Sequence, residues 1–166
     1  MNYTLKREKV NQRHWGQGFV DFALALAIFL FIVLGLIEAS RLIFFWAMVT
    51  TASREGARYG STLLQFDDCA GIETAALRPG QFVGMTTANV AINYDTGPGT
   101  TSYSTCSALN PTNVVLGDRI TVTTSASYVP GAGFITPPFQ PITVSSTTSR
   151  TIAKEIQLWG EDDGGG

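Results

Sequence analysis

The stretch Arg13-His14-Trp15-Gly16-Gln17-Gly18-Phe19-Val20-Asp21-Phe22 opens an apolar passage that carries no charge for sixteen residues, Phe22 to Ile37. A basic segment ends in glycine, and one carboxylate, Asp21, stands five positions beyond Gly16 at the mouth of the run. Few water-soluble chains put a lone acid in such a place. It suits a helix held in lipid that packs against other helices.

Charge divides the chain at the same point. Residues 1–16 hold Lys6, Arg7, Lys9 and Arg13 against Glu8 alone, a net +3, whereas the remainder holds seven basic and twelve acidic side chains, a net −5. A basic end beside an apolar run stays in the cytoplasm, so the acidic remainder is expected outside. An acidic outer part also speaks against nucleic acid as partner, because phosphate binding needs a basic patch. Both cysteines, Cys69 and Cys106, fall on that outer side. Two thiols in an oxidising compartment point to a disulfide; two unpaired buried cysteines are the alternative.

From Phe19 to about Leu64 there is no proline and helix formers dominate. Such a helix would reach roughly 65–70 Å at 1.5 Å per residue. Its first half is apolar on every face, the mark of a membrane or deeply buried segment, and the expected span covers about residues 19–40. The second half carries charge. Glu38 and Arg41 are spaced to pair on one face, as are Glu55 and Arg58, while Arg54 and Arg58 repel mildly. A solvated helix end would carry the same charges. Gly56 and Gly60 make a small-xxx-small step where another segment can come close. A secretory signal fits less well, since the run exceeds an ordinary signal core and no A-x-A site stands clear after it.

Beyond Leu64 the period changes. Glu73 to Leu77 reads as a short helix ended by Arg78-Pro79-Gly80, and Val90, Ile92 and Tyr94 alternate as a strand. Val114 to Leu116 reads as a short strand with Gly117-Asp118 as its turn. Arg119 to Val129 is the clearest strand, with Ile120, Val122, Thr124, Ala126 and Tyr128 sharing a face. Pro130 to Pro141 reads as a loop, Ile142 to Ser149 as another strand leading to Ile152–Leu158, and residues 160–166 as an acidic, glycine-rich tail. So few strands need cover, and the distal helix half, Phe44 to Leu64, can supply it. The expected class is α+β, with residues 17–64 a long helix and residues 65–159 a β-rich outer domain.

Catalytic chemistry has little to stand on. The one histidine, His14, lies in the basic leader, which removes Ser-His-Asp and Cys-His arrangements from residues 17–166. Asp67, Asp68 and Glu73 lack the ligand spacing of a calcium loop and read as solvated loop charges. No phosphate-binding loop of the Gly-x-x-x-x-Gly-Lys type occurs. Neither a cofactor nor a metal is expected.

The blocks Gly16-Gln17-Gly18-Phe19-Val20-Asp21-Phe22-Ala23-Leu24, Gly35-Leu36-Ile37-Glu38-Ala39-Ser40-Arg41-Leu42 and Ala52-Ser53-Arg54-Glu55-Gly56-Ala57-Arg58-Tyr59 resemble the TadE-like pseudopilins of tight-adherence pilus systems. The last block is the most specific, and the resemblance covers roughly residues 13 to 62. It implies a pilin-like architecture, a long transmembrane helix packed on a small antiparallel sheet. It implies cleavage of a precursor by a prepilin peptidase between Gly16 and Gln17, with residues 1–16 as leader. Assembly would then run through the helix, with Asp21, Phe22, Glu38 and Arg41 engaged and Arg54, Glu55, Gly56 and Arg58 as the helix motif. The implied partners are other pilin or pseudopilin subunits, the peptidase and an inner-membrane platform. The implied location is the bacterial inner membrane, with the outer domain extracytoplasmic, and then the pilus or cell surface. The family usually has Glu where this chain has Asp21, a side chain one methylene shorter. Gly18 offers a second cut position, but cleavage at Gly16 puts Val20-Asp21-Phe22 where the family has Val-Glu-Phe. A major filament subunit and an unprocessed, single-pass anchored binding module are the alternatives.

Overall fold

The computed structural model describes residues 14–62, 64–115, 117–131 and 140–152 of the 166-residue chain. They form two compact units, a helix unit within Met1–Ser40 and a sheet unit within Arg41–Gly166. The first long helix, α1, spans His14–Gly60 and contributes to both.

In the helix unit α1 has no apolar stripe because it is apolar all round. Residues 16–32 are all exposed, Phe19 by 74% and Phe31 by 68%. A core helix of a soluble protein hides such side chains. Here they stay on the outside, as a lipid-facing helix requires. Among the described residues this is the one helix long and apolar enough to cross a membrane.

In the sheet unit the helix becomes one-sided. Val49, Ala52, Ser53, Gly56, Ala57 and Gly60 are buried, while Thr51, Arg54 and Arg58 are exposed. The helix ends at Gly60, four residues short of the expected Leu64, where Ser61, Thr62 and Gln65 divert the backbone into turns. The second helix, α2, spans Cys69–Gly80 and is longer than the expected Glu73–Leu77. Asp68 begins it: its carboxylate accepts from the Gly71 N–H at 2.9 Å, an N-cap that the sequence reading passed over. The helix continues through Pro79 to Gly80, although a proline there has no N–H to donate to the Ala75 carbonyl one turn earlier.

The sheet has four antiparallel strands, β1 (Val90–Asp95), β2 (Ser104–Thr105), β3 (Arg119–Tyr128) and β4 (Ile142–Thr151), in the order β2-β1-β3-β4. Alternation in β3 is as read: Ile120, Val122, Thr124, Ala126 and Tyr128 are buried. Val114 and Val115 are not a strand. A 3-10 turn at Pro111–Asn113 precedes them, and Val114 drops into the core as a single buried side chain. Leu116, and the stretches expected as a loop at 132–139, as a strand at 153–158 and as a tail at 160–166, lie outside the described residues.

α1 and α2 cover one sheet face. One cluster joins Ala57 and Ile72 with Ile92, Tyr94, Ile120, Val122 and Ile152. A second joins Val49 and Ala52 with Met85 and Ala126, and Phe45 packs edge-on against Tyr128 with ring centres 5.2 Å apart. The directions follow from these contacts. Gly60 lies beside Ile72 and Ile120, and Gly56 beside Ala76 and Val122. Thr124 donates to the Val49 carbonyl at 2.9 Å. Both α2 and β3 therefore run back along α1 towards its residue 41 end.

Candidate functional site: the two faces of the N-terminal helix

The segment Ala52 to Gly60 splits by function. Its small residues make a flat face on which the sheet unit is built. A Cβ added at Gly60 would come within 2.9 Å of Ile72 Cδ1 and collide with Ile120. At Gly56 it would meet Val122 Cγ1 at 3.1 Å and Ala76 Cβ at 3.2 Å. The close approach anticipated from the Gly-x-x-x-Gly step is thus made, and the segments that approach are α2 and β3 of the same chain. Ser53, not singled out from sequence, sits on this face with its hydroxyl 3.1 Å from Ser146 Oγ and 2.9 Å from Thr148 Oγ1. It fastens α1 to the edge strand β4. A buried serine flanked by small residues every third or fourth position was the available signal.

The polar half of the segment faces out. Arg58 Nε lies 3.2 Å from Glu55 Oε2, an exposed pair one helical turn apart and so a minor contributor to stability. Arg54 is exposed one turn before Arg58. Arg58 and Glu55, with Tyr59, Gly71 and Arg78, border an open groove of about 790 Å³ between α1 and α2. Tyr59 donates to Asp68 at 2.9 Å, and that hydrogen bond raises its pKa. Asp68 therefore serves both the cap of α2 and the Tyr59 hydroxyl, and it is engaged within the fold.

Cys69 and Cys106 form a disulfide, with Cα atoms 5.8 Å apart and a sequence separation of 37. It ties the start of α2 to the turn after β2, and Tyr94 lies beneath it. The Tyr94 hydroxyl reaches the Phe66 carbonyl and lies 3.3 Å from Cys106 Sγ; burial raises its pKa well above the ordinary value. At the same end, Arg119 Nε donates to Asp95 Oδ1 at 2.7 Å, and Thr121 donates to Asp95 Oδ2 at 2.9 Å. Burial alone would raise the Asp95 pKa, but the Arg119 hydrogen bond, helped by Thr121, the Gly97 N–H and the Arg119 charge, leaves it lowered. Tyr103 is pushed up to about 12 by burial and by its hydrogen bond to Asp118.

The residues expected at the start of the helix lie in a different setting. Gly16, Gln17, Asp21 and Phe22 are all exposed on the first three turns of α1, and a Cβ at Gly16 or Gly18 would meet nothing within 4 Å. Glu38 is half-buried late in the helix unit. Arg41 opens the sheet unit, and its guanidinium lies against the backbone of Gly131. These expected residues are strung along α1 and do not gather into one cluster. That arrangement can present a lengthwise surface to other helices.

No curated protein and no solved structure matches the chain. A family model described as TadE-like protein matches residues 16–58, a range that begins at Gly16 and ends on Arg58. It takes in the exposed apolar half of α1 and most of the small-residue face, and it stops short of α2 and the sheet. Residues 16–58 are a TadE-like segment.

Proposed function

We propose that this chain is a pseudopilin of a tight-adherence pilus system, held in the membrane by α1 as a precursor, cut between Gly16 and Gln17, and assembled through the same helix. The observation that carries the reading is the first half of α1: an apolar helix exposed throughout residues 16–32, headed by Gly16 and Asp21, inside a TadE-like segment. A carboxylate in hydrocarbon costs a few kcal/mol unless it is paired or reaches the interface. Asp21, at the start of the span, lies close to the cytoplasmic surface before assembly. Cleavage frees a positive amine at Gln17, four residues and about one turn away, which Asp21 of the same or a neighbouring chain then neutralises. Pairing offsets part of the cost of moving the helix from lipid into a bundle. Phe22, Glu38 and Arg41 add contacts along the helix. The partners are other pilin-type subunits, a prepilin peptidase and an inner-membrane assembly platform, with the sheet unit on the outer side.

The test uses cells that make the system, with this chain carrying Asp21→Ala or Asp21→Glu. Asp21→Ala is expected to be cut normally yet to be depleted from sheared surface filaments, and Asp21→Glu to be retained. An unchanged yield of Asp21→Ala in the filaments would contradict the role given to the acid.

A further inference from the structure

The sheet unit is polarised along α1. Its described charged residues crowd towards one end: Arg58, Asp67 and Asp68 beside the close of α1, Asp95, Asp118 and Arg119 where β1 ends and β3 begins, and Arg150 opposite Ile120 in the register. Arg54, Glu55, Glu73 and Arg78 lie alongside the upper turns of α1 and α2. At the other end, marked by residues 41–49 of α1, the close of β3 and the opening of β4, Arg41 is the lone charged side chain among the described residues.

That end is not merely neutral. Leu42, Ile43, Phe44 and Trp46 are exposed by 38%, 66%, 53% and 56%. Val129 follows the end of β3, Ile142 opens β4, and they are 59% and 50% exposed. Tyr128 pairs with Ile142 and packs on Phe45, so these side chains stand at the level of α1 residues 41–46. Phe82, 70% exposed, follows α2 at the same end, where its neighbour Val83 packs on the cluster containing Val49. Four separate chain segments thus place large apolar side chains on one end of the unit.

The depth of this end can be counted along the helix. From Asp21 at one boundary, about 20 residues at 1.5 Å cross a hydrocarbon core of roughly 30 Å and reach Arg41. The next five residues, Leu42 to Trp46, rise about 7 Å, the thickness of one headgroup layer. Tryptophan and other aromatics prefer that layer, with apolar rings inward and polar groups wet, and an arginine there can meet lipid phosphates.

We propose that this end of the sheet unit is a membrane foot, seated in the outer headgroup layer of the bilayer that α1 crosses. The inference rests on the transmembrane reading of α1 and adds that Val129, Ile142 and Phe82, which lie far from α1 in sequence, also touch lipid. It gives the unassembled subunit a seated orientation, with the charged end away from the membrane. Leaving the bilayer then exposes the foot, so that joining a filament must cover it or pass it to a neighbour.

The test uses the full-length chain in phosphatidylcholine–phosphatidylglycerol vesicles, with lipids brominated either shallow or deep on the acyl chain. Trp15, Trp46 and Trp159 are replaced by Phe, and one tryptophan is returned at Ile28, Trp46, Val129 or Tyr103. All four receiving positions are exposed or lipid-facing in this reading, and circular dichroism checks that each variant folds. Trp46 and Val129→Trp are expected to lose about half their emission to shallow bromines and less to deep ones. Ile28→Trp should be quenched by deep bromines, and Tyr103→Trp by neither. Deep quenching at Ile28 with none at Val129 overturns the foot and leaves the span intact. Absence of quenching at both overturns the span and the foot together. An Ile142→Trp variant, also required to be quenched by shallow bromines, guards against a local fault at Val129.

Discussion

Gly60 and Gly35 show how one residue type does two different things along a single helix. At Gly60 a side chain has no room, since Ile72 and Ile120 already fill the space; at Gly35 a Cβ meets nothing within 4 Å. Gly60→Val is therefore expected to destabilise the sheet unit by about 1–3 kcal/mol, the usual cost of overpacking. Gly35→Ala should leave that unit unchanged. Thermal unfolding in detergent micelles, followed by near-ultraviolet circular dichroism, separates the two. Asp95 supplies a pH dependence. Its folded pKa lies below the ordinary carboxylate value, so its contribution is complete above about pH 4 and is lost as pH falls through the lowered folded value. The wild-type chain should thus lose stability in acid, and Asp95→Asn should show a flatter acid limb while being roughly 1–3 kcal/mol less stable at pH 7. Equal acid slopes for the two proteins would remove Asp95 from the account. Such partners are invisible in the sequence: Asp95 and Arg119 stand 24 positions apart, and their pairing needs the strand register that folding supplies.

Among the elements, those with a strong local period were legible and those fixed by distant contacts were not. β3 alternates so regularly that its buried face can be named residue by residue, and α1 shows as a long proline-free run of helix formers. Asp67-Asp68 reads as loop charge and Pro79 as a stop, which shortens the expected α2; the Asp68 cap on Gly71 starts the helix at Cys69, and it continues through Pro79 to Gly80. Val114 was mistaken for part of a strand because a single buried valine in a turn has the composition of one. Two predictions belong here. Ser53→Ala removes the hydroxyl that bridges α1 to Ser146 and Thr148, and should cost about 1 kcal/mol, with hydrogen exchange rising first in β4. Breaking the Cys69–Cys106 link by the double serine variant should cost about 3–4 kcal/mol on the chain-entropy model for a loop of this length. A denaturation midpoint indifferent to reductant would contradict that figure.

At the scale of the whole molecule, the sequence separates a long helix, residues 17–64, from an outer part that begins at residue 65; the compact units part instead between Ser40 and Arg41, because the distal half of the helix packs into the core of the sheet unit. What composition could not display was the ordering of charge within the sheet unit, because Arg58, Asp95, Asp118 and Arg150 are scattered in sequence and meet only through antiparallel packing. Nor could it say that the Gly-x-x-x-Gly step is spent within the chain, which leaves the exposed first half of α1 as the surface proposed for assembly. The account stands or falls on that half beginning its mature life at Gln17. Mass spectrometry of the amino terminus, on protein taken from sheared surface filaments, is the direct measurement. The account predicts a chain that starts at Gln17; a chain that starts at Met1 with residues 1–16 attached would contradict it.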